Sequence, residues 1–448
     1  KKGIYYYKNL ITTQKTLNLI IISMFSVIFP GQGSQSVGMT KELHDNFDYV
    51  KDLFNQADDV LGYSISKIML DGPKEELDLT ENTQPAIFLA SYSIFKMIEN
   101  ESDIINLGNE NDAMIASAKG ARELSLKLLK EKKIDGVIAL GGTMGTDLAL
   151  DVFSILPIGF PKCLVSTVAG SPLIEPNRLP PDIITILWAG GLYGLNSICK
   201  SSLSQACGAV VGAAMSSIKE LKSKPIVAIT SLGTSALTYI IRLLPELEKR
   251  GFEAAVFHTT GMGGSAMESL IKQGKIVAVM DFSLVEVSNY FFESEVNSGA
   301  KRLEIAGECA VPQIVAPGGL TVVDAKTWDK PPKSFESREF RPHNRLITCA
   351  ALEPEERGEI AKIVGKKLMN SKGPTAFIMP HGGFDDWDKE GEWAFDKNAI
   401  ETFYKEIKKI LDDRVEFHEI DQNINEPQFT DLALNIFDRW VKEGFINP

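Results

Sequence analysis

The sequence predicts an α/β protein built from two Rossmann-like, doubly wound parallel-sheet subdomains, preceded by a shorter, truncated α/β segment. Three observations carry that expectation. From Asp135 onward, short β-branched runs alternate with helical patterns, as parallel strands covered on both faces do. Glycine-rich turns follow several of those runs, among them Gly141–Thr146 and Thr259–Gly264, where a strand hands over to a helix. At 448 residues the chain is about three times the usual single-domain length. A break near Lys222–Pro225 separates two layers, so the expected segments are 1–23, 24–101, 111–222 and 223–448.

Composition narrows the function classes. The chain is 44% hydrophobic and 24% charged, ordinary for a soluble globular protein and unlike a disordered, collagenous or coiled-coil one. Forty-seven basic against 59 acidic residues give a net charge of −12, which repels phosphodiester backbones, so no nucleic-acid partner is expected. Five cysteines without C-x-x-C spacing support neither a disulfide framework nor a zinc knuckle. A reducing cytoplasm is the expected setting. Residues 1–16 carry four lysines and no acid, and 17–29 are mostly apolar. That outline fits a signal peptide, but no small-x-small cleavage site follows, and the apolar run is too short to span a bilayer, so no membrane partner is expected. Residues 1–23 read as upstream or non-native sequence, with Met24 as the true start.

The elements follow in order. Residues 25–29 read as a strand feeding the turn Pro30-Gly31-Gln32-Gly33, with helices over 40–61 and 85–98. A helix over 114–132 precedes a strand over 135–140, the turn at Gly141, and a helix over 147–156. A strand over 163–168 leads to a long helix over 195–221, rich in small residues. Its stretch 204–217 hints at close packing, and a homo-oligomer is expected. Strands over 225–230, 253–258 and 275–280 alternate with helices over 236–250 and 265–273. Further strands lie at 346–350 and 375–379, and the region from His418 closes with a strand and a helix.

Candidate chemistry gathers at the carboxyl ends of the strands, where parallel sheets place their binding crevices. Gly141, Gly142, Thr143, Gly145 and Thr146 offer free N–H groups and a helix dipole to a phosphate, with two threonine hydroxyls as extra donors. The competing reading is a tight turn that lets helix and strand pack. No G-x-x-x-x-G-K-[ST] occurs, so the chain is not a P-loop NTPase. The second turn is Thr259, Thr260, Gly261, Gly263 and Gly264. His258 stands at the strand end as a candidate acid or base near neutral pH, and Glu268, one turn into the helix, would orient it or bind metal. A structural histidine is the alternative. Asp281, ending the next strand, completes the candidate catalytic set, and Glu286 reads as a solvated charge. Arg302 is placed to grip a carboxylate or phosphate bidentately, unless it is a surface helix arginine. His343 and Asn344 fit a turn and a ligand contact equally. His381, Asp385, Asp386 and Asp388 belong either near Mg2+, which prefers oxygen ligands, or to an acidic solvated loop.

Two resemblances add to these readings. Phe29-Pro-Gly-Gln-Gly-Ser-Gln35, Gly72-Pro-Lys-Glu-Glu-Leu77 and Thr80-Glu-Asn-Thr-Gln-Pro-Ala86 resemble the N-terminus of malonyl-CoA:acyl-carrier-protein transacylase. That resemblance implies that Gln32 helps form an oxyanion hole, served by a serine in a G-x-S-x-G elbow. The chain contains no such elbow, so malonyl transfer is expected to be absent. From about residue 111 the chain resembles the UPF0261 family and its plant relatives, the Tm-1-like ATP-binding proteins. Leu140-Gly-Gly-Thr-Met-Gly-Thr146, Val256-Phe-His-Thr-Thr-Gly-Met-Gly-Gly264, Gly299-Ala-Lys-Arg-Leu303 and His343-Asn344 are among the residues that carry this resemblance. It implies ATP or another small phosphorylated or carboxylate ligand, with Mg2+, at the domain crevice. It leaves open an enzyme of unnamed reaction and a non-catalytic interaction protein stabilised by nucleotide.

Overall fold

A computed structural model describes residues 35–101, 109–188, 190, 196–216, 224–233 and 237–447. The expected strand at 25–29 and Gln32 lie outside them. The chain forms two compact units. One takes residues up to Leu156 with Phe160–Ser171 and Ile183–Ser217; the other takes Pro157–Gly159, Pro172–Asp182 and Ile218 onward.

The first unit opens with helices α1 (Lys41–Asn46), α2 (Asp48–Leu61), α3 (Ile65–Asp71), α4 (Lys74–Leu77) and α5 (Thr80–Glu101). The single helix expected over 40–61 is broken at Phe47, whose backbone is extended. Val50 and Phe54 lie one turn apart on α2 and join Ile65, Met69, Leu77 and Leu89 in a small core. Gly62, at φ 75°, ends α2 in the left-handed conformation that glycine adopts without a Cβ penalty. Then come α6 (Glu110–Lys130), β1 (Val137–Gly141), α7 (Thr143–Phe153), β2 (Lys162–Ser166), β3 (Ile184–Leu187) and α8 (Ser197–Ser216). The strands pair in parallel in the simple order β1-β2-β3. Among the described residues these three strands are added in one direction, without the reversal of strand order that makes a switch point.

The second unit carries a six-stranded, all-parallel sheet in the order β12-β11-β7-β6-β4-β5. In sequence these are β4 (Ile226–Ser231), α9 (Leu237–Lys249), β5 (Glu253–His258), α10 (Gly263–Lys272), β6 (Ile276–Asp281), α11 (Val285–Phe291), α12 (Ile305–Glu308) and β7 (Gln313–Val315). An antiparallel insert follows, with β8 (Val322–Lys326), β9 (Arg341–Pro342) and β10 (Ile347–Ala351) in the order β8-β10-β9. The sheet resumes through α13 (Pro354–Leu368), β11 (Thr375–Pro380), α14 (Lys397–Ile410), β12 (Glu416–Ile420) and α15 (Pro427–Lys442). Strand order reverses between β4 and β6, which sets a crevice at their carboxyl ends. Successive residues of β4 alternate in allegiance: Val227 and Ile229 join Leu243, Phe437 and Trp440 on one face, while Ala228 joins Met267 and Val279 on the other. A strand buried on both faces requires this alternation of apolar side chains. No helix among the described residues is long and apolar enough to cross a membrane.

Candidate functional site

In the first unit, α7 begins at Thr143 with Gly142 as its N-cap, four residues earlier than the sequence suggests, so most of the glycine turn is the helix's own first turn. Gly141 and Gly145 are in close backbone contact; a Cβ on Gly141 would lie 2.6 Å from the Cα of Gly145. Strand–helix packing thus accounts for those two glycines. Thr146 is buried, and its hydroxyl shares a 2.7 Å hydrogen bond with Ser166, which occupies it structurally. Gly142 and Thr143 are exposed. Gly142 has no side chain with which to cap this helix, and no acid stands in its first turn.

The second unit's glycine turn is already filled. The Glu286 carboxylate accepts the backbone N–H of Gly261 at 2.9 Å and that of Gly264 at 3.1 Å. Arg302 Nε donates to the same carboxylate at 3.0 Å, while its two Nη atoms hold Asp281 at 2.5 and 2.7 Å. One Nη also donates to the Ser283 carbonyl. All these side chains are buried, Glu286 completely and Arg302 to 1% exposure. Two expectations are corrected here. Glu286 is not a solvated charge, and Arg302 is neither a surface arginine nor a free grip for ligand. The N–H groups of Gly261 and Gly264 and the guanidinium are satisfied inside the protein, by carboxylates some twenty residues away along the chain. A Cβ on Gly264 would overlap Glu286 and Arg302, and one on Gly263 the His258 carbonyl.

Hydroxyls knit the strand ends around this ion cluster. Thr230 Oγ1 donates to Asp281 and accepts the Ser283 N–H; Thr259 Oγ1 bonds the Ser231 carbonyl and the Ser283 hydroxyl. Glu268 accepts the Leu303 N–H at 2.8 Å, steadying a residue held at φ 73°. Burial pushes the Glu268 carboxyl up to about 8, with nearby Arg302 opposing the shift. His258 is exposed, and its Nδ1 lies 3.0 Å from the Thr260 hydroxyl. The proposed trio therefore separates: Asp281 and Glu268 serve the Arg302 cluster, while His258 is bonded elsewhere on the surface.

The loop after β11 is also more ordered than an acidic solvated loop. Asp385 is buried and accepts the Thr321 hydroxyl and the N–H groups of Trp387 and Asp388. Arg357 grips Asp388 through both Nη atoms at 2.9 and 3.2 Å, and burial pushes that carboxyl up to about 6. Asp386 alone of the three is partly exposed and bonds Lys389 and Asn425. His381 is paired with Glu419 at 3.2 Å. Nearby, the Cys349 thiol donates to buried Asp324 at 3.0 Å, and burial raises both groups. Among the described residues no three His, Cys, Asp or Glu side chains are grouped to hold a metal. Asn344 proves to be a turn former, its Oδ1 accepting the N–H groups of Leu346 and Ile347. His343 is exposed, with its ring edge-on to Trp387.

Comparison with known proteins places this architecture. A profile described as the N-terminal domain of the uncharacterised protein family UPF0261 matches residues 40–219, and one for its C-terminal domain matches 224–441. A UPF0261 protein of Brucella melitensis is 48% identical over 343 residues, 77% of this chain and 82% of that protein. The chain belongs to the UPF0261 family. A UPF0261 protein of Clostridium tetani is 34% identical over 73% of this chain and 81% of that protein. The ToMV resistance protein Tm-1(GCR237) of Solanum lycopersicum is 28% identical over 68% of this chain, but over 42% of its own length. A solved malonyl-transacylase in complex with its acyl-carrier protein is 18% identical, over 56% of this chain and 86% of that one, with a TM-score of 0.16. That score supports no shared fold. The UPF0261 match starts at residue 40 rather than near 111, so the described helices that read as a transacylase fragment lie within the family's own N-terminal domain.

Within this UPF0261 chain, the sequence reading took Glu286 for a surface charge and missed Tyr239 and the Cys349–Asp324 pair. Tyr239 is buried and donates to the Thr230 carbonyl at 2.8 Å. One signal pointed to Glu286: the residues around it, Phe282–Asn289, hold few charges and many apolar side chains, a poor setting for a solvated helix face.

Proposed function

We propose that this UPF0261 protein binds a small phosphorylated molecule, with ATP the first candidate, at the carboxyl end of the first unit's sheet. The observation that supports this reading is the contrast between its two glycine turns. In the second unit, a strand–glycine turn–helix junction takes up a carboxylate through backbone N–H groups, as helix N-termini do for anions. The junction after β1 is built alike and, like the other, has no acid in its own first turn, yet among the described residues no carboxylate from elsewhere in the chain accepts its N–H groups, and Gly142 and Thr143 are exposed. A phosphoryl group there would accept the N–H groups of the first helical turn and the Thr143 hydroxyl. Mg2+ would arrive with the nucleotide, held by its phosphate oxygens. The reading is one of binding. Malonyl transfer has no G-x-S-x-G serine to use.

Calorimetric titration with Mg-ATP tests it. At Gly142 a Cβ would meet nothing nearer than Thr167 Oγ1 at 3.6 Å, so Gly142→Ala should fold and bind. Gly142→Asp should fold but place a carboxylate against the phosphate and abolish binding. No heat with the unaltered protein, or full binding by Gly142→Asp, would overturn the proposal.

A further inference from the structure

In the second unit, the β9–β10 hairpin carries Arg341 and His343 beside two tryptophans of the loop after β11, with Arg345 exposed in its turn. The Arg341 guanidinium lies 4.9 Å from the Trp393 ring centroid. His343 lies 5.5 Å from Trp387, and the two indoles are 5.7 Å apart at 47°. Both tryptophans are partly buried and pack on Val285, Val322 and Cys349 together with Leu232, the residue that follows β4. The cluster thus sits at the carboxyl end of the sheet, next to the reversal between β4 and β6, where ligands of open α/β sheets bind.

The cluster is held in shape from beneath. Trp387 N–H is fixed by Asp385, Ala394 N–H bonds the Trp387 carbonyl, and Arg357 ties Asp388 to the Ala394 carbonyl. Asn344 shapes the hairpin that presents the cations. The charge is unbalanced. In a chain of net charge −12, Arg341 and Arg345 are exposed. No ion pair with either is found among the described residues, and the exposed acids of the neighbouring loop, Glu390 and Glu392, do not pair with them. An ordered pair of indoles with the unneutralised Arg341 guanidinium against it, and exposed Arg345 on the same hairpin, matches a flat ring with an anionic arm, since arginine holds carboxylate and phosphoryl groups bidentately and indole faces take up rings.

We infer that this cluster is a second ligand site, which takes a planar aromatic ring bearing a carboxylate or phosphoryl group, the ring against Trp387 and Trp393 and the anion on Arg341. These residues belong to the second unit, whereas the turn at Gly142 belongs to the first. Its test is quenching of indole fluorescence by two probes, 1-naphthoate and AMP, with uncharged 1-naphthamide as control. Saturable quenching is expected with at least one anionic probe and about tenfold weaker binding of the amide. Arg341→Gln alters an exposed side chain, so it should leave the thermal transition in place while weakening the anionic probe about tenfold; Gly142→Asp should leave that binding unchanged. Naphthoate alone binding would mark an aromatic acid, and AMP binding as well would mark a nucleotide. The inference falls if neither probe saturates, if the amide binds equally, or if Arg341→Gln binds as well as the unaltered protein. AMP binding lost in Gly142→Asp but kept in Arg341→Gln would assign the nucleotide to the first unit instead.

Discussion

Glu286 holds its carboxylate 3.1 Å from the backbone nitrogen of Gly264, filling the helix N-terminus that the sequence offers to an outside anion. The same carboxylate answers Arg302, so one buried side chain neutralises both a helix dipole and a guanidinium. It ties the turn after β5 to the helix that follows β6.

Glu286→Gln removes the charge and leaves Arg302 with Asp281 alone inside the protein. Breaking a buried ion pair from one side costs about 3–5 kcal/mol. Urea unfolding at neutral pH should show that loss, and a midpoint unchanged from the parent would show that the pair contributes nothing.

Gly264→Ala should be costly where Gly142→Ala is not. A Cβ at Gly264 collides with Glu286 and Arg302, neither of which has room to withdraw. Overpacking of this kind costs about 1–3 kcal/mol, while an exposed, open position stays within about 0.5 kcal/mol. Thermal unfolding of the two variants side by side decides the point.

Glu268 makes stability depend on pH with a definite sign. Its carboxyl is pushed up from 4.5 to about 8 in the folded protein, so the folded state keeps a proton that the unfolded chain releases. The stability this group confers is therefore fully present below about pH 4.5 and is lost as pH rises through about 8. Glu268→Gln carries no such proton. Its stability relative to the parent should rise from pH 5 to pH 9, by an amount on the order of a few kcal/mol. A constant difference across that range would contradict the buried neutral carboxyl.

The cysteines should divide by exposure. Cys207 and Cys309 are exposed, while Cys163, Cys199 and Cys349 are buried, and burial together with the Asp324 carboxylate holds the Cys349 thiol in its protonated form. Because thiolates are the reactive species, iodoacetamide on the native protein should modify Cys207 and Cys309 well before the other three, read by peptide mass. Early labelling of Cys349 would contradict its placement.

Much of the second unit was legible in the chain. Runs such as Ile226–Ser231 and Ile276–Asp281 announce buried parallel strands because β-branched residues and flanking glycines act locally. The short strand Gln313–Val315 and the antiparallel insert were harder to see; three residues carry too little periodicity to register, and the insert's pairing partners lie far apart in sequence. For the candidate site, the glycine turns and Arg302 were visible as anion binders. What they bind was not, since Glu286 lies 22 residues beyond Gly264.

By itself, then, the amino-acid order determined the α/β class, the parallel strands and the places where backbone N–H groups would be bare, all of which follow from neighbours a few residues apart. The tertiary structure alone decided that Glu286 satisfies one of those places from within, and that two tryptophans meet Arg341 at a sheet end. The reason is that a buried charge chooses its partner by proximity in space, and proximity here is set by strand order, which no local pattern encodes.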